Sequence, residues 1–135
     1  MTRYLDLADY LLIAAAALDV RAEDLYMQVN LPLAESALSA PRAAFGEVEF
    51  YPEIDQKVAV LGHRLVANHP LPDGNKRAAL LCMREFAEIN ECVWRHPAAD
   101  GPEGDETVAT MVALAAGDLA FDDFLTWIRH RIGSS

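Results

Sequence analysis

EIDQKVAVLGHRLVANHPLPDGNKRAALLCMREFAEIN, residues 53–90, carries the reading of the fold. Val58, Leu61 and Leu65 recur at the spacing of one helical face and predict a helix over Glu53–Asn68. Pro70 and Pro72 lack backbone N–H groups and fix φ, so that helix stops before them. From Gly74 the helical period resumes, with Ala78, Leu81, Cys82, Phe86 and Ile89 turned inward, and predicts a second helix to Asn90. Residues 69–73 therefore join two core helices, and the rest of the chain is read around that pair.

Upstream, Leu5, Ala8, Leu12, Ala15 and Ala16 fall at helical spacing and predict a first helix over Tyr4–Leu18. Residues 22–30 read as a short helix or turn. Leu33–Ser39 reads as a short helix that begins after Pro32 and stops before Pro41. Between Pro41 and Pro52, Val48 and Phe50 alternate with Glu47 and Glu49 beside Phe45–Gly46. That alternation predicts a small hairpin or extended flap, with Phe45, Val48, Phe50 and Tyr51 as its packing residues. Downstream, Glu91–His96 reads as a short strand or linker and DGPEGD, residues 100–105, as a turn. Glu106–Ala116 and Phe121–Ile132 complete the helices. The expected architecture is all-α: one compact helical domain over residues 1–135 with a short β-hairpin flap.

Composition narrows the class. A chain of 135 residues, 53% hydrophobic and 24% charged, can bury one core. LLIAAAAL, residues 11–18, is too short to span a bilayer and follows Asp6 and Asp9 rather than cations, so it is expected to be a buried helix, neither an anchor nor a signal peptide. Cys82 and Cys92 form no C-x-x-C and have no second pair to complete a zinc site, which points to a reduced, cytoplasmic protein. The net charge of −10 argues against extended nucleic acid as a ligand. The charge is uneven, however. Lys57–Arg84 holds five Lys or Arg and one Asp, whereas Asp100–Asp123 holds seven acids and no base. A small anion could be held locally while nucleic acid is repelled, and the acidic tail reads as solvating surface.

The bend gathers the chemistry. The predicted second helix presents free N–H groups at its start, which makes an anion site. Lys76 and Arg77 fall in its first turn, where cations oppose the helix dipole, and an anion would remove that conflict. Arg offers a fork for phosphate oxygens, Lys a mobile point charge, and Asn75 a further donor. Asp73 would repel phosphate unless a divalent cation lay between them, and Mg²⁺ is held in that way. His69 closes the preceding helix, and imidazole is the side chain best suited to act as a base near neutral pH.

Each of these residues taken singly has an ordinary explanation. A histidine at a helix end caps its dipole, Asp and Asn are turn or N-cap residues, and Lys and Arg are solvated surface. Their joint spacing is what points to function, since five such positions would coincide by chance in roughly one chain of this length in twenty thousand at average residue usage. His63, His96 and His130 lack such company and are read as structural, and Arg64, Arg84 and Glu35 as helical surface.

HPLPDGNKR resembles the signature HxFx(D/E)(G/A)N(G/K)R of the Fic/Doc superfamily, and Lys76 before Arg77 is similar to the death-on-curing (Doc) toxin branch. The resemblance runs through LAESALSAPRAAFGE and YPEIDQKVAVLGHRLVANHP, about residues 33–80. It implies a small helical domain that binds ATP and Mg²⁺ and modifies a hydroxyl of a target protein. Members with Gly before the last Arg generally transfer AMP, whereas those with Lys turn the nucleotide round and transfer its γ-phosphate. By resemblance, His69 deprotonates a Ser or Thr hydroxyl, Asp73 holds Mg²⁺, and Gly74, Asn75, Lys76 and Arg77 grip the phosphates. The flap residues Glu47, Val48, Glu49 and Phe50 would pair with the target chain by strand addition. Elongation factor Tu is the implied target, with inhibition of translation as the result, and a Phd-like antitoxin is the implied partner.

Two positions depart from the pattern. Leu71 stands where the family has Phe, an apolar anchor of the loop. Gly74 is the Fic-like choice where the Doc branch has Ala. The inhibitory pattern (S/T)xxxE(G/N) is missing, since every Ser and Thr lacks Glu four residues on, so restraint is expected from a separate chain. The rival expectations are AMP transfer and a phosphate- or peptide-binding module without turnover. A ribonuclease using His69 and Arg77 is opposed by the acidity and by the single histidine at the bend.

Overall fold

The computed structural model describes residues 1–97 and 100–134. Helix α1 (Leu7–Leu18) begins after a reciprocal cap: the Asp6 carboxylate accepts from the Asp9 N–H at 2.8 Å, and the Asp9 carboxylate accepts from the Asp6 N–H at 2.9 Å. The cap places the start beyond Tyr4. The buried face is Tyr10, Leu11, Ala14 and Ala15, while Ala8, Leu12 and Ala16 of the predicted face are exposed. A segment apolar on every side offers several faces of equal spacing, and α5, against which α1 packs, selects one of them.

Helix α2 (Ala22–Gln28) follows, then α3 (Leu31–Ser39), whose first turn contains Pro32 and is capped by Asn30 accepting from the Leu33 N–H at 3.1 Å. A proline tolerates that turn because its missing N–H has no acceptor there, so α3 starts before the predicted Leu33. A single 3₁₀ turn, Ala40–Arg42, leads into the hairpin of β1 (Ala44–Phe45) and β2 (Val48–Glu49), with Ala44 opposite Glu49 and Phe45 opposite Val48.

Helices α4 (Ile54–Asn68) and α5 (Asn75–Ile89) form the centre, and Val58, Leu61, Leu65, Ala78, Cys82 and Phe86 are all buried. Their crossing is close, since a Cβ built on Gly62 would overlap the thioether of Met83. Helix α7 (Phe121–Arg131) packs on α4, and Arg129 Nε donates to Asp55 at 2.8 Å. His63 meets Phe121 edge-on at 5.6 Å; burial, reinforced by Arg64, keeps its imidazole below the usual histidine range. No helix of the described residues is long and apolar enough to cross a membrane.

Strand β3 (Cys92–Trp94) realises the strand option for 91–96. It pairs antiparallel with β4 (Ile132–Ser134), an element the helical reading of Phe121–Ile132 did not foresee. The acidic stretch also departs from a purely solvating role. Ahead of α6 (Asp105–Ala116), Asp100 is 2% exposed and accepts from Arg131 Nη1 at 3.1 Å, from the Thr107 N–H at 2.8 Å and from the Thr107 hydroxyl at 3.0 Å. The Arg131 guanidinium lies 4.6 Å above the Trp127 ring. This buried cluster ties the start of α6 to the end of α7.

Candidate active site

The bend between α4 and α5 is held by bonds from three directions. His69 closes α4 at φ 52°, ψ 57°, a left-handed conformation that a residue with a side chain adopts only where its surroundings enforce it. Pro70 O accepts from the Asn30 N–H at 2.8 Å, and Asn68 Nδ2 donates to Leu33 O at 3.0 Å, so the start of α3 fixes both flanks of His69. Leu71, at the position of the family's Phe, is 1% exposed and anchors the loop in the core.

Asn75 completes the clasp, and its role differs from the one expected. Its Oδ1 accepts from the Leu71 N–H at 3.0 Å, its Nδ2 donates to Leu71 O at 2.8 Å, and the residue is buried. The carboxamide expected to reach a phosphate oxygen is thus turned to the loop backbone, because burying Leu71 leaves two polar groups that need partners. What Asn75 still offers an anion is its backbone N–H and the second hydrogen of Nδ2.

At the mouth of α5 the geometry suits an anion. Gly74 is the N-cap at φ 84° and no side chain caps the helix, so the first-turn N–H groups lack intrahelical acceptors. Lys76 and Arg77 are exposed in that turn. Two clefts flank it. One, of about 760 Å³, runs between Asp19, Asp24 and Met27 on the α1–α2 side and Pro72, Asp73 and Arg77. The other, of about 480 Å³, takes in Gly74–Arg77, Leu80 and the α6 residues Val108 and Val112. Asp73 and Arg77 line both, and Leu18 divides them over Gly74.

The bend thus brings Asp73, Gly74, Asn75, Lys76 and Arg77 to one rim. His69 is exposed at the other end of the loop and lines neither cleft, a placement open to a hydroxyl approaching from solvent. Among the described residues no three His, Cys, Asp or Glu side chains could hold a metal ion together. Asp73 alone fits a cation that arrives on phosphates rather than one caged by protein. Burial pushes the Cys82 thiol up to about 12, which removes it as a nucleophile at neutral pH.

The flap differs from expectation in two ways. Phe45, Val48 and Phe50, read as packing residues, are 80%, 68% and 58% exposed, because a hairpin this short has no opposing layer to bury them. Glu49, expected to meet a target with Glu47, Val48 and Phe50, pairs at 2.9 Å with Lys57 Nζ, which also donates to Pro41 O at 3.1 Å. Lys57 is buried there and is no part of the cation set at the bend. Burial works against its charge, but Glu49 and Tyr4 outweigh that and hold the ammonium above the usual lysine range.

Sequence reasoning did not find Leu18 or the α6 wall. The only local sign of that wall was Val108, Met111 and Val112 at helical spacing in an acidic segment.

An imidazole at the left-handed close of one helix thus precedes a cation-bearing helix start that no side chain caps. The Fic/DOC family model matches residues 4–87, and the chain belongs to that family. It is 35% identical over 92 residues to the protein named Toxin Doc of Mycolicibacterium smegmatis (strain ATCC 700084 / mc(2)155). That alignment covers 67% of this chain and 66% of the relative, just under two thirds of the relative's length.

Proposed function

We propose that this chain is the toxin of a toxin–antitoxin pair and a protein phosphotransferase, which moves the terminal phosphoryl group of Mg²⁺-bound ATP to a Ser or Thr hydroxyl of a target protein. The observation that carries this reading is the uncapped first turn of α5, with Lys76 and Arg77 exposed upon it and Asp73 at its rim. Backbone N–H groups of that turn, Lys76 and Arg77 would hold phosphate oxygens through charge-assisted bonds. Asp73 would hold Mg²⁺, which would neutralise phosphate charge. His69 takes the proton of the attacking hydroxyl, the hydroxyl oxygen bonds to phosphorus, the bridging P–O bond breaks, and ADP leaves. Positioning and charge neutralisation supply most of the rate.

Elongation factor Tu is the target this reading favours, with inhibition of translation as the outcome, and a Phd-like antitoxin is the restraint. Those assignments rest on the family resemblance and on the relative's name. The exposed Phe45, Val48 and Phe50 beside an unpaired strand edge would dock the target segment.

A second reading is AMP transfer, favoured by Gly74, the Fic-like residue at that position. One experiment separates them: incubate the protein with Mg²⁺ and ATP in a cell extract and weigh the modified target. A gain of one phosphate supports the proposal, and an AMP adduct replaces it with the second reading. His69→Ala should lower transfer by about 10²–10⁴-fold while ATP binding persists, and unchanged transfer would remove His69 from its role.

A further inference from the structure

A hairpin of two-residue strands can turn either of its faces to the protein. Phe45 and Val48 stand opposite each other and so share a face, on which Phe50, two residues beyond Val48, also falls. Ala44 and Glu49 stand opposite each other on the other face. The face with three apolar side chains looks to solvent, while Glu49 is turned to α4 and meets Lys57. Hydrophobic burial alone would favour the reverse.

Lys57 is what opposes that reversal. It is 1% exposed, and its Nζ donates to Glu49 Oε1 at 2.9 Å and to Pro41 O at 3.1 Å, 5.6 Å from the centre of the Tyr4 ring. Rolling the hairpin over would strip Glu49 from an ammonium that is already out of water and leave that buried charge without its counter-ion. The other foot of the hairpin is held on the same ring. Arg42, the last residue of the 3₁₀ turn before β1, lies 4.4 Å above Tyr4, which packs in turn on Phe86 of α5 at 6.0 Å. Cations around one aromatic ring thus fix both ends of the flap.

Lys57 stands too far from the bend to touch the reacting atoms. Twelve residues of α4 separate it from His69, about 18 Å at the rise of a helix. Its effect must therefore fall on how the target is held and not on the phosphoryl step. We propose that Lys57 is a positioning residue for target recognition, which acts through Glu49 to hold Phe45, Val48 and Phe50 outward before the target arrives. This role rests on the reading of the flap as the target's docking edge. The segment that fits such a face is extended and apolar at alternate positions. A face held ready spares the target the cost of ordering it.

The test is steady-state transfer from Mg²⁺-ATP to the protein that mass analysis of the extract identifies as modified, with Mg²⁺-ATP affinity measured by calorimetry. Lys57→Met and Glu49→Ala should each raise KM for the target about tenfold, with kcat and Mg²⁺-ATP affinity within about twofold of the wild type. The double variant K57M/E49A should raise KM no further than either single one, because both remove the same contact. Glu49→Gln keeps an acceptor for Lys57 and should return KM to within about threefold of the wild type. Additive losses, or a Glu49→Gln as impaired as Glu49→Ala, would mean that Glu49 meets the target itself and would overturn the role of Lys57. Unchanged KM in the single variants, or a loss shared by kcat and Mg²⁺-ATP affinity, would overturn it too. Glu49 is exposed, so Glu49→Ala and Glu49→Gln decide the matter even where Lys57→Met does not fold. A wild type that modifies no protein in the extract overturns the transferase reading and this role with it, whereas wild-type transfer that the variants reproduce overturns the role alone.

Discussion

Leu18 lies over Gly74: a Cβ built on Gly74 would overlap the Leu18 side chain, and Gly74 itself holds φ 84°. Two separate penalties therefore guard one position at the mouth of α5. A side chain at φ above zero costs about 1–2 kcal/mol, and overpacking against a partly buried leucine about 1–3 kcal/mol more.

A double-mutant cycle separates the two penalties. Gly74→Ala should lower the unfolding free energy by about 2–4 kcal/mol. Leu18→Ala alone should cost about 1–2 kcal/mol, since the residue is only partly buried. The double variant should be more stable than the sum of the singles, because truncating Leu18 removes the overlap and leaves only the backbone strain. Urea unfolding of the four proteins measures this, and strict additivity would mean that Leu18 does not constrain Gly74.

Asn75 predicts a loss of positioning rather than of a phosphate ligand. Asn75→Ala leaves the N–H and C=O of buried Leu71 unpaired, at a cost of about 1–3 kcal/mol for each group that water does not reach. The Leu71 amide should then exchange its hydrogen much faster, and transfer activity should fall while tripolyphosphate affinity falls little. Asn75→Asp returns the acceptor to Leu71 N–H but sets a carboxylate against Leu71 O, so it should rescue exchange protection only in part. If Asn75→Ala removed phosphate affinity with Leu71 still protected, the carboxamide would be a ligand after all.

The legible parts of this molecule are those whose causes are local. Val58, Leu61 and Leu65 set the face of α4, Pro70 and Pro72 its end, and the HPLPDGNKR spacing names the loop, all within one short window. What was not legible depends on partners far along the chain. The face of α1 is chosen by α5, since Leu11 and Leu12 are equally apolar and only one is covered. Strand β4 exists because Cys92–Trp94 lies alongside Ile132–Ser134, and Gly133 carries no strand propensity of its own. The burial of Lys57 depends on Pro41 and Glu49, that of Asp100 on Arg131, and the α6 wall of the second cleft on how α6 packs by α5. The HPLPDGNKR motif stands out in the sequence, but the turn of the Asn75 carboxamide to Leu71 does not, since only the folded loop supplies that partner.

The flap should separate stability from docking. Phe45 and Phe50 are mostly exposed, so F45S/F50S should change the unfolding free energy by no more than about 0.5 kcal/mol for each substitution. Target modification should fall sharply in the same protein. Lys57→Met keeps most of the buried volume but releases Glu49 and the Pro41 carbonyl, and should speed hydrogen exchange and proteolysis across residues 44–50. A flap that stays protected in Lys57→Met would show that the hairpin does not depend on that ion pair.

Asp100 gives the fold a defined response to acid. Its hydrogen bond from Arg131 and those from Thr107 hold the carboxyl at about 2, against an ordinary value near 3.8. Because the folded value is the lower one, the unfolded chain binds more protons between them, so this group's contribution is full above about pH 4 and is lost as pH falls toward 2. That contribution is about 2 kcal/mol. Once Asp100 is protonated, buried Arg131 keeps only Glu106, at 3.6 Å, as a charged partner among the described residues. Asp100→Asn should therefore be less stable than the wild type by a margin that is flat from about pH 5 to 8 and shrinks steadily from pH 4 to 2. Urea midpoints taken across that range check it, and a margin that widens on acidification would mean that the carboxylate does not stabilise the folded state.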